Sequence, residues 1–221
     1  MAVSRSPALF PICAFAILVG GCSTAKYQLE NGHYRSHSAR LDVEVRNDTV
    51  RVGPHGGPIT DYPPIAVGTV PQSIRMDHPS FDVDVLTILL KYRPAEDGLQ
   101  PQLQSQLGGA VYMGFGLDRY LLNYRTSPFG TPVRHMGHFG VSLGAFAGLG
   151  ATPVNPWVTS FKVNEEYDGV AFASGVALIG AIDRLTLGVS LGWDQLLNSH
   201  SSVWTYQGKP WTGSVLGLNL N

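Results

Sequence analysis

His135 and His138 stand three residues apart in an H-x-x-H pair, and Asp77 and His78 are neighbours earlier in the chain. Imidazoles with a carboxylate are the donors of a zinc site. On a strand, however, positions three apart point to opposite faces, so shared ligation would need the turn around Met136 to break the alternation. Polar turn residues are the better account of the pair. Ser199, His200 and Ser201 form a second group, and Glu165, Glu166 and Asp168 a third. Together they contain the acid, base and hydroxyl of nucleophilic hydrolysis. No G-x-S-x-G elbow accompanies them, and exposed loops are polar in any case. Asp118 and Asp194 lie inside otherwise uncharged stretches, as buried partners of Lys91, Arg119 or tyrosines, or as the lining of a conduit. The expectation is no catalytic residue, no metal and no cofactor.

The elements that would position these residues are strands. In His138 to Ala151, Phe139, Val141, Leu143, Ala145, Ala147 and Leu149 alternate with Gly140, Ser142, Gly144, Phe146, Gly148 and Gly150. Neither face is charged, whereas a sheet with one face in water carries charge there. One face must meet something apolar and the other something crowded. A membrane-barrel strand fits both needs, with aliphatic residues on lipid and small residues in a narrow lumen. A strand buried on both sides of a soluble sandwich fits them too.

Composition narrows the choice. Charged residues make up 14% of the 221, glycines number 26 and the formal net charge is −1. Soluble domains carry roughly 25% charge, so little of this surface is expected to face water. No Lys/Arg-rich run is present, and nucleic acid is set aside as a partner. The N-terminus has the parts of an export signal: Arg5, the apolar run Ala8 to Val19, then Gly20 and Gly21. Cys22 follows at once. Leu18-Val19-Gly20-Gly21-Cys22 resembles the bacterial lipobox, whose cysteine receives diacylglycerol and becomes the new N-terminus. The pattern prefers Leu where Val19 stands, but accepts Val. Cys22 is thus the expected lipid attachment residue, and with Cys13 removed no disulfide is possible within the mature chain.

Taken in order, residues 1–21 read as the lipoprotein signal peptide. Residues 22–80 read as a lipidated tether, a short hairpin (Leu41 to Val45 and Thr49 to Val52 around Asn47-Asp48) and a Pro-rich segment unfit for a helix or a central strand. Residues 81–221 read as the barrel domain. Its strand candidates are Phe81 to Arg93, Gly109 to Arg125, His138 to Ala151, Val170 to Ile182, Leu185 to Leu197 and Trp211 to Asn221. In the first, charges change face between Asp82/Asp84 and Lys91/Arg93, which implies a bulge or a strand leaving the membrane. In the second, Val111, Met113, Phe115 and Leu117 oppose Tyr112, Gly114, Gly116, Asp118 and Tyr120. Arg119 then faces lipid, a costly position unless it lies near the interface.

Connections alternate long and short: Pro94 to Gly108, Thr126 to His135, Thr152 to Gly169, Asp183-Arg184, Asn198 to Pro210. That is the parity of a bacterial barrel, with both chain ends on the short-turn, periplasmic side, where a lipidated Cys22 would also lie. Trp157, Trp193, Trp204 and Trp211 all fall toward the long-loop side, as an aromatic girdle would. Six strands are few for a closed barrel; Leu41 to Gly53 could supply another pair.

The last two-thirds of the chain resembles the small outer-membrane β-barrel proteins of diderm bacteria. Glu166-Tyr167-Asp168-Gly169, Asn155-Pro156-Trp157-Val158-Thr159, Tyr206-Gln207-Gly208-Lys209-Pro210-Trp211 and Gly217-Leu218-Asn219-Leu220-Asn221 are similar to segments of uncharacterised envelope proteins of that kind. The resemblance implies location and fold, not activity. It departs at the end, where Asn221 stands in place of the usual aromatic residue. The expected fold is all-β, a small antiparallel up-and-down membrane-type barrel of 6 to 8 strands. The expected role is a structural or interaction component of the outer membrane, with membrane lipid as its partner. A rim-active hydrolase, a small-solute conduit and a soluble β-sandwich lipoprotein are the alternatives.

Overall fold

A computed structural model describes residues 29–36, 39–105, 108–182 and 185–219. Cys22 and the lipobox lie outside the described residues. The protein is all-β and antiparallel, and among the described residues no helix is long and apolar enough to cross a membrane. Among the described residues eleven strands occur in order: β1 (Gly32–Ser36), β2 (Ala39–Arg46), β3 (Thr49–Pro54), β4 (Thr60–Tyr62), β5 (Ile74–Arg93), β6 (Gln102–Gln104), β7 (Gly108–Thr126), β8 (Pro132–Val154), β9 (Tyr167–Ile182), β10 (Leu185–Leu196) and β11 (Pro210–Asn219).

Each of β7 to β11 pairs with its sequence neighbour, β7 also pairs with β5, and β11 pairs back onto β5 from Thr212↔Tyr92 to Asn219↔Asp84. The sheet therefore contains a partial ring of six strands, while β1 to β4 and β6 lie off it. Alternation predicts the two faces of the ring strands correctly. Along β7, Val111, Met113, Phe115 and Leu117 are exposed, and Tyr112 and Gly114 are buried. The inside is narrow. A Cβ on Gly144 would lie 2.2 Å from the Met113 carbonyl oxygen, and one on Gly175 would lie 2.2 Å from that of Leu191. Only glycine lets neighbouring backbones come so close. Tyr112, Phe146 and Trp211 fill the space, with Leu86, Ile88, Ala173, Ala177, Ile179 and Val215 around them.

The switch of faces in β5 has the cause its charges implied. Ser214 pairs with Leu90 and Val215 with Ile88, leaving Leu89 as an extra residue. Before this bulge Asp84, Leu86 and Ile88 are buried; after it Lys91 and Arg93 are.

Three expectations are corrected. The strand expected to start at Phe81 starts at Ile74 and carries Pro79. Proline is tolerated because β1 pairs with β5 at Asp77 and the pairing of β11 with β5 ends at Asp84, so among the described residues Pro79 has a partner strand only on its β7 side. The hairpin around Asn47 (φ 48°) and Asp48 (φ 59°) forms as expected, but it joins β1 and β4 in a side sheet rather than adding strands to the ring. The supposed tether reaches into this sheet, since β1 begins at Gly32 and Leu29 is buried. The long lower halves of β5, β7 and β8 support a separate core there, where Tyr34, Leu41, Val43, Val50, Val52 and Tyr62 pack on Met76, Tyr120 and Leu122. A third cluster, Val154, Val158, Leu196, Trp204 and Tyr206, holds the long loops at the opposite end.

Candidate functional site

The most unusual surface is the outer face of the ring. Exposed apolar residues cover it strand after strand, including Val85, Leu90 and Tyr92 on β5, Leu143 and Leu149 on β8, and Leu187, Val189 and Leu191 on β10. Between Phe139 and Leu149 the outward side chains of β8 include no charge. A groove of about 560 Å³ crosses this belt over Thr212, Gly213 and Ser214, between Leu90, Tyr92 and Leu103 and the side chains of β9 and β10. Monomeric soluble proteins rarely expose contiguous apolar patches beyond a few hundred Å².

The ring interior has three levels. At the long-loop end, Asp194, fully buried, accepts hydrogen bonds from Lys91 Nζ (2.9 and 3.0 Å), from Trp211 Nε1 (2.8 Å) and from Arg93 Nη2. Arg93 also donates Nε to Gln104 Oε1 (3.1 Å) and lies over the rings of Trp204 and Tyr206, 5.2 and 4.9 Å from their centroids. The apolar middle follows. At the other end His138 Nε2 donates to Asp118 Oδ1 (2.8 Å), and Tyr112 and Ser142 share a hydrogen bond of 2.7 Å. Asp82, Asp84, Asp118, His138 and Thr186 surround a cavity of about 20 Å³, the room of a single water.

The sequence placed Asp118 and Asp194 inside and named Lys91 as a partner, as the structure has it. It missed Arg93, which shares the parity of Lys91 beyond the bulge. It also missed that Trp204 and Trp211 are buried rather than part of a girdle. Trp211 has the parity of Gly213 and Gly217, and that was the available signal. Trp157 and Trp193 are exposed.

The remaining candidates mostly take other partners. His135 is exposed while His138 is buried, and among the described residues no group of three or more His, Cys, Asp or Glu could hold a metal ion. Asp77 pairs instead with Arg119 (2.7 Å), which accounts for an arginine on the outward face of β7 below the belt. His78 packs on Tyr34, ring centroids 4.8 Å apart. His200 directs Nδ1 to the Tyr167 phenol at 2.7 Å, away from a serine, and Glu165, Glu166 and Asp168 are exposed. On the side sheet Asp42 accepts hydrogen bonds from His55 (2.7 Å) and His33 (2.6 Å), which hold its carboxyl below the usual carboxylate range.

Compared with protein-family models, with curated proteins and with solved structures, the chain matches none.

Proposed function

We propose that the ring is a small six-stranded membrane β-barrel and that the protein is a lipid-anchored outer-membrane component of the cell envelope, structural or interacting in role, with no catalytic centre. The outer apolar belt carries this reading. Along β8 the belt from Phe139 to Leu149 covers about 34 Å of strand at ~3.4 Å per residue, or about 26 Å of height at a ~40° tilt, close to the height of a barrel's lipid-facing band. Loop parity supports the orientation. The β7–β8 turn is Ser127–Thr131 and Ile182 pairs with Leu185 across the β9–β10 connection, whereas the long loops gather at the other end. The side sheet would then stand in the periplasm, on the side from which a lipid on Cys22 would reach the inner leaflet.

The packed middle of the interior speaks against a conduit, and the engagement of His200 Nδ1 by the Tyr167 phenol speaks against a rim hydrolase. A soluble sandwich would leave the outer belt in water, at a cost of roughly 25 cal/mol for each Å² of apolar surface.

The deciding experiment is membrane extraction of Cys22→Ala carrying a cleavable signal sequence, with carbonate washing and gel mobility before and after boiling. Retention in the outer membrane with a heat-dependent mobility is expected. A folded protein that washes off would overturn the barrel reading. Metabolic labelling with palmitate tests the anchor separately: the wild type should take up label and Cys22→Ala should not.

A further inference from the structure

At the long-loop end of the ring interior the buried charges do not balance. Lys91 and Arg93 face one carboxylate, that of Asp194, and all three side chains are at most 4% exposed. At the rim Lys209 pairs with Glu96 at 2.5 Å, and Asp97 lies close enough to act on Lys209 as well. Asp168, on the rim end of β9, is exposed to solvent. The buried carboxylate Asp84 lies beyond the apolar layer of Leu86, Ile88 and Phe146. Within the buried group two basic side chains therefore share one carboxylate, an expensive arrangement unless something compensates it.

The same place holds three buried polar atoms with no hydrogen-bond partner: Arg93 Nη1, Trp204 Nε1 and Tyr206 Oη. They belong to one contact group, because the Arg93 guanidinium lies over both rings and the rings meet edge to face at 6.0 Å. All three can donate, and two can only donate. Water would satisfy the donors but leave the charge. An anion would do both.

We propose that this end of the ring binds a small monovalent inorganic anion of the chloride class, held by Arg93, Trp204 and Tyr206. Burial selects the size, since Arg93, Trp204 and Tyr206 are 0%, 3% and 2% exposed and an organic acid could enter only if the capping loop opened. The site does not depend on what covers the outer belt.

The test is the thermal unfolding midpoint of the full-length, detergent-solubilised protein in sodium chloride and in sodium gluconate at equal ionic strength. The midpoint should climb with the logarithm of chloride concentration and stay flat in gluconate. Trp204→Phe and Tyr206→Phe each remove a donor while keeping the ring, and each should weaken apparent chloride affinity about tenfold. Arg93→Met leaves Lys91 and Asp194 balanced and should abolish the dependence. If Arg93→Met does not fold, the two conservative variants decide. A wild-type midpoint indifferent to the exchange of anions would overturn the proposal, as would a chloride dependence of equal size in every variant.

Discussion

Leu143→Arg separates a lipid-facing belt from a water-facing one. Leu143 is 62% exposed and pairs with Phe115 on β7 and Leu178 on β9, which are also exposed. At ~3.4 Å per residue and a ~40° tilt, it lies about 10 Å from the Phe139 margin of the belt and about 16 Å from the Leu149 margin. An arginine that deep in a bilayer costs about 2 to 4 kcal/mol, a factor of about 30 to 900 in the folding equilibrium. The same change on a watery surface stays within about 0.5 kcal/mol. Phe129→Arg is the control, because Phe129 is 93% exposed in the β7–β8 turn, outside the belt. Folding into lipid vesicles is followed across a urea series by the fraction with shifted mobility in unboiled gels. The reasoning predicts a lowered urea midpoint for Leu143→Arg and little change for Phe129→Arg. Equal midpoints for Leu143→Arg and the wild type would refute it, as would equal losses in both variants.

Three other outcomes are expected. Asp194→Asn keeps the shape but strands Lys91 and Arg93, and should lower stability by about 3 to 5 kcal/mol; a denaturation midpoint within experimental error of the wild type would contradict the buried cluster. Gly144→Ala, whose Cβ would meet the Met113 carbonyl oxygen, should cost about 1 to 3 kcal/mol, while Gly109→Ala, with nothing within 4 Å of its Cβ, should cost much less; a reversed order would count against the narrow interior. Asp42, held low by its hydrogen bonds to His55 and His33, contributes stability that is present above the unfolded carboxylate value of about 3.9 and is lost as pH falls through its lower folded value. Its carboxyl resonance should titrate at higher pH once both histidines are replaced by alanine, and an unmoved titration would show that they do not hold it.

The ring strands were legible because two demands fell on alternate residues. In β7 and β8 the outward positions are apolar and the inward ones small or aromatic, so period 2 survives without any charge to mark it. The bulge was legible for a different reason: Asp84 and Lys91 have opposite parity, and neither suits an apolar outer face. Pro79 misled because proline is excluded only where a strand is paired on both edges, and pairing is a property of the sheet rather than of the residue. The inward tryptophans misled in the same way. An indole fits an interface or a core, and only the company of Gly192 and Gly213, over which the Trp211 ring lies, distinguishes the two.

The strand number follows from that same pairing of large rings with glycines. Six strands are too few if every inward position carries a side chain, since the chains would collide before the ring met itself. Here the Tyr112 hydroxyl lies where a Cβ on Gly114 would be, Phe146 reaches over Gly175, and Trp211 over Gly192. Each large ring thus occupies the volume that a neighbouring glycine gives up. The middle of the ring is filled by Tyr112, Phe146 and Trp211, each at most 3% exposed. The side sheet has its own core and an exposed polar face that includes Glu44, Asp61 and His55.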